Sequence, residues 1–295
     1  MSSPVLRLSW SESVGEGYIS ELLSRTRMSK SVEVAATDDD IFDRSKRIGW
    51  LDLEAVSRSK VLMVGAGALG NEVAKDLVLS GFRRITIVDM DHIVASNLNR
   101  CLFFRQEDAE MRKKKAAVLV EGLKSISPGS DPHPIVGKIQ DQPPRIFQDH
   151  DIVLGCLDNV EARIHTNSHA YSSGKVYVDG GMDGMIGKVM VSRPPSGACL
   201  QCGMNRTHAK VANLRFSCTG REVVFHEPKL AAEITTTSVI SAVMVREALK
   251  AVSGRADMLI NNAFYYDGER NVSEELEIPL DRECPVHLVR TRRYR

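Results

Sequence analysis

KVLMVGAGALG, residues 60–70, joins a short apolar strand to a glycine-rich turn. The apolar and β-branched residues of its first half predict a buried strand of a parallel sheet. Residues 71–79 predict a helix after the turn, and residues 84–88 predict a second strand that ends at Asp89. This succession of strand, turn, helix and strand is typical of an α/β nucleotide-binding fold.

The glycine spacing indicates a phosphate site. Gly65, Gly67 and Gly70 form the pattern Gly-x-Gly-x-x-Gly, which lets the backbone turn tightly and approach a phosphate. The start of the following helix supplies free N–H groups. Asp89, 19 residues after Gly70, stands where a carboxylate accepts hydrogen bonds from ribose hydroxyls. A glycine-rich packing turn is the alternative, and the strand–helix–strand context favours the nucleotide site.

Polar residues after Asp89 favour a triphosphate over NAD, which such a fold binds by default. The glycine turn largely serves the two phosphates of a dinucleotide, whereas added Arg and Lys side chains suit a ligand with more charge to neutralise. A solvated helix start is the alternative for the lysines. The residues in question are Asp91, Ser96, Asn97, Asn99, Arg100 and the run Arg112-Lys113-Lys114-Lys115.

A third apolar run, residues 151–156, predicts another parallel strand, which Asp158 and Asn159 follow. Carboxylates at the C-terminal ends of parallel strands line the ligand crevice of such sheets. Asp158 is therefore a candidate to hold Mg²⁺ against the phosphates, and Arg163 stands at helical spacing to orient it. Cys156 lies inside the run, which favours a core position over a nucleophile.

Four residues at two distant places predict a zinc site. Cys199 and Cys202 are separated by two residues, as are Cys284 and His287. Two such pairs complete a tetrahedral Cys₃His site that leaves no position for a substrate. We therefore expect a structural Zn²⁺ that fastens the C-terminal segment to the domain. Taken alone, the first pair is also compatible with a redox dithiol.

The composition is that of an ordinary soluble globular protein. Of the 295 residues, 43% are hydrophobic and 26% are charged, and the net charge of +1 gives no general reason to bind nucleic acid or an anionic membrane. The sequence shows neither a membrane-spanning run nor a secretory signal, so we expect a cytoplasmic enzyme with reduced thiols. Residues 1–38 are expected to form a flexible extension and residues 39–295 the catalytic domain.

Together these motifs resemble the ubiquitin-activating enzyme family, which includes the ThiF- and MoeB-like enzymes that activate sulfur-carrier proteins. The resemblance covers residues 42–252 and 284–287, and its most specific part is Asp89-x-Asp91 followed by Ser96-Asn97-Leu98-Asn99-Arg100. It implies a Rossmann-like, mostly parallel α/β sheet with helices on both faces and a zinc-stapled C-terminal segment. The last metal pair of the family is commonly two cysteines, so His287 is a departure.

By resemblance, the chain adenylates the C-terminal glycine of a small β-grasp protein with ATP and Mg²⁺, with Asp158 and Arg100 as catalytic residues. The family also uses an Arg from an N-terminal helix, often across a dimer, and both Arg44 and Arg47 are candidates. Among the lysines, Lys115 is favoured and Lys113 comes next. The remaining nucleotide-binding positions implied by the resemblance are Gly65, Gly67, Gly70, Asp89, Asp91, Ser96, Asn97, Asn99 and Asn159.

Cys218 is the candidate thioester acceptor. Ubiquitin-type enzymes carry a Cys-Thr pair in a crossover loop, here residues 203–228, and Cys218-Thr219 match it. A thiolate attacks an acyl-adenylate readily. An ordinary loop cysteine is the alternative, because some relatives place the cysteine just before a Thr-rich helix start and residues 230–237 contain none. Beyond the loop we predict a helix at residues 229–252 and strands at 258–260 and 264–266.

We therefore predict an ATP-dependent adenylyltransferase that activates a ubiquitin-like protein and takes it up on Cys218. Its expected partners are that carrier, a second copy in a homodimer and a ubiquitin-conjugating enzyme. The first alternative is adenylation of a sulfur carrier to form a thiocarboxylate. An NAD-dependent oxidoreductase is disfavoured by Asn97, Asn99 and Arg100, and a non-catalytic scaffold subunit is disfavoured by the intact nucleotide motif.

Overall fold

A computed structural model describes residues 40–204 and 231–287. The chain divides into two compact units, residues 1–51 and 52–295. In the first unit, helix α1 (Asp43–Lys46) is followed by Arg47, whose Nη2 lies 2.8 Å from Asp43 Oδ2. Arg44 Nε lies 3.7 Å from the same oxygen, so one carboxylate serves both candidate arginines. The domain boundary predicted between residues 38 and 39 stays a prediction.

The described part of the second unit is built on an eight-stranded sheet in the spatial order β3-β2-β1-β4-β5-β6-β7-β8. The first five of these strands run parallel and the last three pair antiparallel, which confirms the predicted Rossmann-like, mostly parallel sheet. In chain order the strands are β1 (Lys60–Val64), β2 (Arg84–Asp89), β3 (Asp131–Val136), β4 (Ile152–Gly155), β5 (Val176–Asp183), β6 (Ile186–Ser192), β7 (Ala263–Asp267) and β8 (Val272–Leu276).

Seven further helices are described in this unit. Three short 3₁₀ turns at Ala95–Asn97, Ile139–Asp141 and Ala256–Met258 complete the helical structure of the described ranges. None of the helices described is both long enough and apolar enough to cross a membrane. The helices are α2 (Leu53–Arg58), α3 (Ala68–Leu79), α4 (Gln106–Glu110), α5 (Lys115–Ile126), α6 (Arg145–Gln148), α7 (Val160–Ser172) and α8 (Ile234–Val252).

Two adjacent glycines of β5 show that helices cover both faces of the sheet. Successive residues of a strand point to opposite faces. A Cβ on Gly180 would meet Leu69 of α3 and Met244 of α8, whereas a Cβ on Gly181 would meet Arg163 of α7. Helices α3 and α8 therefore lie on one face and α7 lies on the other, as predicted.

The contact between α3 and α8 contains buried polar groups. Ser238 Oγ donates to Glu72 Oε2 at 3.2 Å, and Ser241 Oγ donates to Asp76 Oδ2 at 3.1 Å. Burial raises the pKa of Asp76, although Lys75 and Ser241 act in the opposite direction. The helix that begins at the glycine turn is thus joined by hydrogen bonds to the long helix α8.

Two elements near the end of the chain differ from expectation. The strand predicted at residues 258–260 is wrong, because Ile260 N–H donates to the Glu247 carboxylate at 2.7 Å and Ile260 C=O accepts from Asn262 N–H, so neither group joins the sheet. Helix α8 begins at Ile234 rather than at residue 229, because the Glu233 carboxylate caps it by accepting from the N–H groups of its first turn. Residues 229–230 lie outside the described ranges.

Cys156, predicted from the sequence to lie in the core, is buried, and so is Cys101. Burial raises the pKa of Cys101 to about 11 and raises that of Cys156 as well. Since the thiolate is the reactive form, neither residue is suited to act as a nucleophile. The burial of Cys156 agrees with its interpretation as a core residue, and Cys101 packs in the core as well.

Candidate active site

Each of the three glycines in the turn after β1 is required at its position for a different physical reason. Gly65 has φ +103°, and a Cβ there would lie 2.3 Å from the carbonyl oxygen of Cys156. A Cβ on Gly70 would lie 2.2 Å from the carbonyl oxygen of Gly65. At Gly67, the residue that caps α3, a Cβ would have no described atom within 4 Å. The first and last glycines therefore close the turn, and the middle one leaves its outer side open to a ligand.

The turn lies where the strand order reverses. Strand β1 pairs with β2 on one side and with β4 on the other. Strands β2 and β3 are thus added on one side of β1, and β4 and β5 on the opposite side. In open α/β sheets, ligands bind in the crevice that this reversal creates beyond the carboxyl ends of the strands. The glycine turn, Asp89 and Asp158 all follow the carboxyl ends of these three strands.

Asp89 supports the glycine turn directly. Its Oδ2 accepts a hydrogen bond from Ala66 N–H at 2.7 Å, and its Oδ1 accepts one from Asp91 N–H at 2.7 Å. Burial raises the pKa of Asp89, and the two N–H donors and the charge of Lys115 act against that rise. Each carboxylate oxygen has the capacity for a further hydrogen bond, so the predicted ribose contacts are compatible with this arrangement.

Among the three consecutive lysines, Lys115 is the one directed to the predicted nucleotide carboxylates. Its Nζ lies 2.9 Å from Asp91 Oδ2, and its side chain is only 12% exposed. Burial acts to lower the pKa of Lys115, but the hydrogen bond to Asp91 and the charges of Asp89, Asp91 and Asp158 outweigh it and raise the pKa. The ammonium group is therefore held in its charged form beside the crevice.

The other two lysines point elsewhere. Lys113 Nζ lies 2.8 Å from Asp108 Oδ1, and Lys114 Nζ donates to the carbonyl oxygen of Met90 at 3.0 Å. A backbone bridge between His92 and Lys114 fixes this segment beside the end of β2. Lys115 thus contacts a predicted nucleotide carboxylate and Lys113 contacts Asp108 instead, and the assignment of Lys115 as a phosphate ligand stays a prediction.

The segment 96–100 is held by its own side chains. Asn97 is buried and its Oδ1 accepts from Val94 N–H at 3.1 Å, which caps the 3₁₀ turn. Arg100 Nη1 donates to the carbonyl oxygen of Ser96 and, at 3.1 Å, to Asn99 Oδ1. Asn97 has a structural role that the sequence did not reveal, and Arg100 lies with Ser96 and Asn99 as one polar group.

At the end of β4, Asp158 is exposed and Asn159 caps α7 by accepting from Ala162 N–H at 2.9 Å. The expected pairing of Arg163 with Asp158 is not observed. Instead, Arg163 forms a two-pronged ion pair with Asp179 on β5, with Nε 3.1 Å from Oδ2. Asp179 is 1% exposed, and a carboxylate buried this deeply requires a cationic partner.

Asp179 also accepts a hydrogen bond from Tyr177 Oη at 2.6 Å. The charge of Asp179 raises the pKa of Arg163, and burial raises that of Tyr177. This cluster was not predicted from the sequence. Asp179 could have been found, because it follows an apolar β-branched run as Asp89 and Asp158 do, whereas Tyr177 carries no comparable signal.

Three of the four predicted metal ligands are joined by short sulfur contacts, and the fourth completes the group. Cys199 Sγ lies 3.7 Å from Cys284 Sγ and 3.9 Å from Cys202 Sγ, and Cys202 Sγ lies 3.1 Å from His287 Nε2. All four ligand atoms lie within 4.8 Å of one another. A tetrahedral site with Zn–S bonds of about 2.3 Å places its sulfurs about 3.8 Å apart, so the residues present fit zinc.

Several predicted residues cannot be placed in this site. Cys218 and the crossover residues 205–228 lie outside the described ranges. Arg44 and Arg47 belong to the first compact unit. Their assignments stay predictions.

Comparison with known proteins identifies the family. The model of the ThiF family matches residues 42–286. The chain belongs to the ThiF family. This confirms the resemblance inferred from the nucleotide and metal motifs.

Curated relatives of this ThiF-family chain include subunits of activating enzymes. The NEDD8-activating enzyme E1 catalytic subunit of Schizosaccharomyces pombe is 34% identical over 165 residues, which are 54% of this chain and 37% of that protein. The SUMO-activating enzyme subunit uba-2 of Caenorhabditis elegans is 35% identical over 153 residues, 50% of this chain and 26% of that protein. The matched segments thus span between about a quarter and a little more than a third of the length of these two relatives.

Among solved structures, E. coli MccB has the same fold. The crystal structure of MccB with AMPCPP and MccA has a TM-score of 0.68 at 19% identity, covering 86% of this chain and 75% of that one. The structure of MccB with succinimide has a TM-score of 0.66 at 20% identity, covering 84% and 74%. These similarities support the ThiF fold described above.

Proposed function

We propose that this ThiF-family chain is an ATP-dependent activating enzyme that adenylates the C-terminal glycine of a ubiquitin-like protein. The observation that carries the proposal is the charged Lys115 ammonium, held beside Asp91 and under the influence of Asp89 and Asp158, next to a glycine turn that is open at Gly67. Carboxylates for ribose and metal, and cationic groups for phosphates, are what ATP requires. The identities of the curated relatives support the choice of a ubiquitin-like carrier.

In this proposal, different residues bind the phosphates, the ribose and the metal ion of the nucleotide. The N–H groups of the glycine turn and of α3 bind phosphate, and Asp89 binds the ribose while it also supports the turn. Asn99, Arg100 and Lys115 bind the outer phosphates, assisted by Arg44 or Arg47 and by polar groups of the surrounding loops. Asp158 holds Mg²⁺, which supplies charge neutralisation on the phosphates.

The reaction needs positioning more than covalent assistance. The carrier carboxylate attacks the α-phosphorus, a new C(O)O–P bond forms, and the bond to the bridging oxygen breaks to release pyrophosphate. The negative charge that develops on the leaving group is stabilised by Lys115 and Arg100. The fixed partners of both side chains reduce the entropy that must be lost when the nucleotide binds.

The second proposed step is transfer of the carrier to Cys218. The Cys218 thiolate attacks the acyl carbon, a thioester forms and AMP leaves. A conjugating enzyme would then accept the carrier, and the protein would act as a cytoplasmic homodimer. In this proposal Zn²⁺ on the Cys₃His cluster has only a structural role, since all four positions are filled by protein ligands.

The test is pyrophosphate exchange into ATP, measured with a ubiquitin-like protein from the same organism. We expect exchange that requires the carrier's C-terminal glycine and falls at least about 100-fold in Asp158→Asn. The matched control is Asp149→Asn, an exposed carboxylate near the end of α6. Equal exchange in both variants would remove Asp158 from the site, and no exchange with any carrier would overturn the proposal.

Intact mass after the same incubation tests the second step. A thioester on Cys218 gives a carrier adduct that thiol reagents release and that Cys218→Ala lacks while it retains exchange. Exchange without an adduct, together with an accumulating carrier adenylate, would instead favour adenylation of a sulfur carrier.

A further inference from the structure

Helix α7 carries a polar side chain every fourth residue, and each contacts a different neighbour. Asn159 caps the helix next to Asp158, and Arg163 pairs with Asp179. Farther along, Asn167 binds the segment of the first metal pair. Tyr171 packs edge-on against His287 with ring centroids 4.7 Å apart. One helix therefore runs from the proposed nucleotide carboxylate to the metal cluster.

Asn167 is completely buried beside the cluster. Its Oδ1 accepts hydrogen bonds from Leu200 N–H at 3.2 Å and from Ser192 Oγ at 3.1 Å, and Leu200 N–H also donates to Ser192 Oγ at 3.1 Å. The two acceptor bonds fix the orientation of the amide group. Because Leu200 directly follows Cys199, they also fix the backbone of the first metal pair.

The other end of this amide has no such partner. Asn167 Nδ2 is the buried side-chain nitrogen or oxygen of the described ranges that lacks a hydrogen-bond partner. Buried donors are rarely left unpaired in native proteins. Because Oδ1 of the same amide accepts from the N–H of Leu200, the residue after Cys199, the unpaired nitrogen lies in the buried space beside the first metal pair.

We propose that Asn167 Nδ2 donates a hydrogen bond to the Cys199 sulfur once the cluster holds zinc, which makes Asn167 a positioning residue of the metal site. A metal-bound thiolate accepts hydrogen bonds better than a neutral thiol, and partners outside the ligand shell orient the ligands and tune the metal. The inference rests on the proposed zinc site and does not depend on the identity of the carrier.

The experiment uses the full chain and the variant Asn167→Asp, which has nearly the same shape and keeps the acceptor bonds but removes the donor. Transfer of zinc to a chromogenic chelator is expected to show a 10- to 100-fold loss of affinity in this variant. Ser192→Ala, which removes a partner of Oδ1 and leaves Nδ2 intact, is expected to change the affinity much less. With Co²⁺ in place of zinc, the sulfur-to-metal charge-transfer band should shift in Asn167→Asp and not in Ser192→Ala.

Wild-type affinity and an unshifted Co²⁺ band in Asn167→Asp would overturn the proposal. If this variant does not fold, ¹¹³Cd-substituted wild-type protein decides the question. A scalar coupling between the Asn167 amide proton and ¹¹³Cd is expected, and an amide proton without coupling that exchanges freely with water would overturn it. These metal measurements need neither ATP nor a carrier, so their failure and failure of pyrophosphate exchange are distinguishable.

Discussion

Asp89 Oδ2 accepts a hydrogen bond from Ala66 N–H at 2.7 Å, so the carboxylate at the end of one strand holds the turn at the end of its neighbour. The same carboxylate also accepts from Asp91 N–H. The residue assigned to the ribose is therefore also a structural support of the phosphate-binding turn. In the proposed function, folding and nucleotide binding are therefore coupled at this position.

We expect Asp89→Asn to impair both properties. In the wild type, Ala66 N–H donates to the Asp89 carboxylate. In the variant, the amide NH₂ group would face this N–H and offer it no acceptor, so the free energy of unfolding should fall by about 1–3 kcal/mol. Pyrophosphate exchange should fall at least about 100-fold. Urea unfolding and exchange assays measure the two effects, with the exposed Asp131→Asn as the control. Unchanged stability in Asp89→Asn would contradict the supporting role.

Lys115→Gln should lower pyrophosphate exchange about 100-fold, because the variant lacks the only one of the three consecutive lysines that lies beside Asp91. Lys113→Gln should have a smaller effect, since that side chain forms a partly exposed ion pair with Asp108. Lys124→Gln, at an exposed position on α5, is the control. A larger loss in Lys113→Gln than in Lys115→Gln would reverse the assignment.

Arg163→Gln should destabilise the protein by about 3–5 kcal/mol, because it leaves the buried Asp179 carboxylate without its cation. Arg145→Gln breaks an exposed ion pair with Asp149 and should cost less than about 1 kcal/mol. Urea unfolding of both variants provides the comparison. Losses of similar size would show that the Arg163 pair contributes no more than a surface pair does.

The raised pKa of Asp76 predicts how the free energy of unfolding depends on pH. Because its folded pKa lies above the ordinary value of 3.8, the stability linked to this carboxyl is fully present below pH 3.8 and is lost as the pH rises through the folded pKa. Asp76→Asn removes this titration, so the variant should be more stable than the wild type at neutral pH. The difference should shrink towards about pH 4.

Urea unfolding of both proteins from about pH 4 to neutral pH measures the sign of this stability difference. An Asp76→Asn protein that is less stable than the wild type at neutral pH would show that the ion pair with Lys75 outweighs the cost of burial.

Removal of the metal should lower the melting temperature by about 10 °C. A ligand present at about 1,000 times its dissociation constant stabilises a protein by about 4 kcal/mol, and each kcal/mol shifts the melting temperature of a domain of this size by about 2–4 °C. Metal analysis before and after chelation, followed by calorimetry, measures the effect. A chelated protein with an unchanged melting temperature would exclude a stabilising metal.

The sequence predicted those features whose signal is local. The glycine turn, Asp89 and Asp158 each follow directly on an apolar strand, and each metal pair has its ligands two residues apart. The choice between Lys113 and Lys115 was harder, because it depends on contacts with residues 22 to 24 positions earlier in the chain.

Two features were missed for a different reason. The Arg163–Asp179 pair joins a helix to the next strand, and residue spacing alone pairs the arginine equally well with Asp158. Strand β3 contains Pro132 and Pro134, which argue against a strand. It forms nevertheless because it lies at the edge of the sheet, where its missing N–H groups are not needed by a second neighbour.

The open space at Gly67 separates the requirements of folding from those of ligand binding, because a side chain there would not disturb the turn itself. Side chains at Gly65 or Gly70 would strike backbone oxygens, whereas one at Gly67 would enter open space, where we propose that the nucleotide binds. Gly67→Val is thus the substitution that should yield a folded, metal-loaded protein that does not bind nucleotide. Such a protein would report which partners associate with the chain before any chemistry takes place.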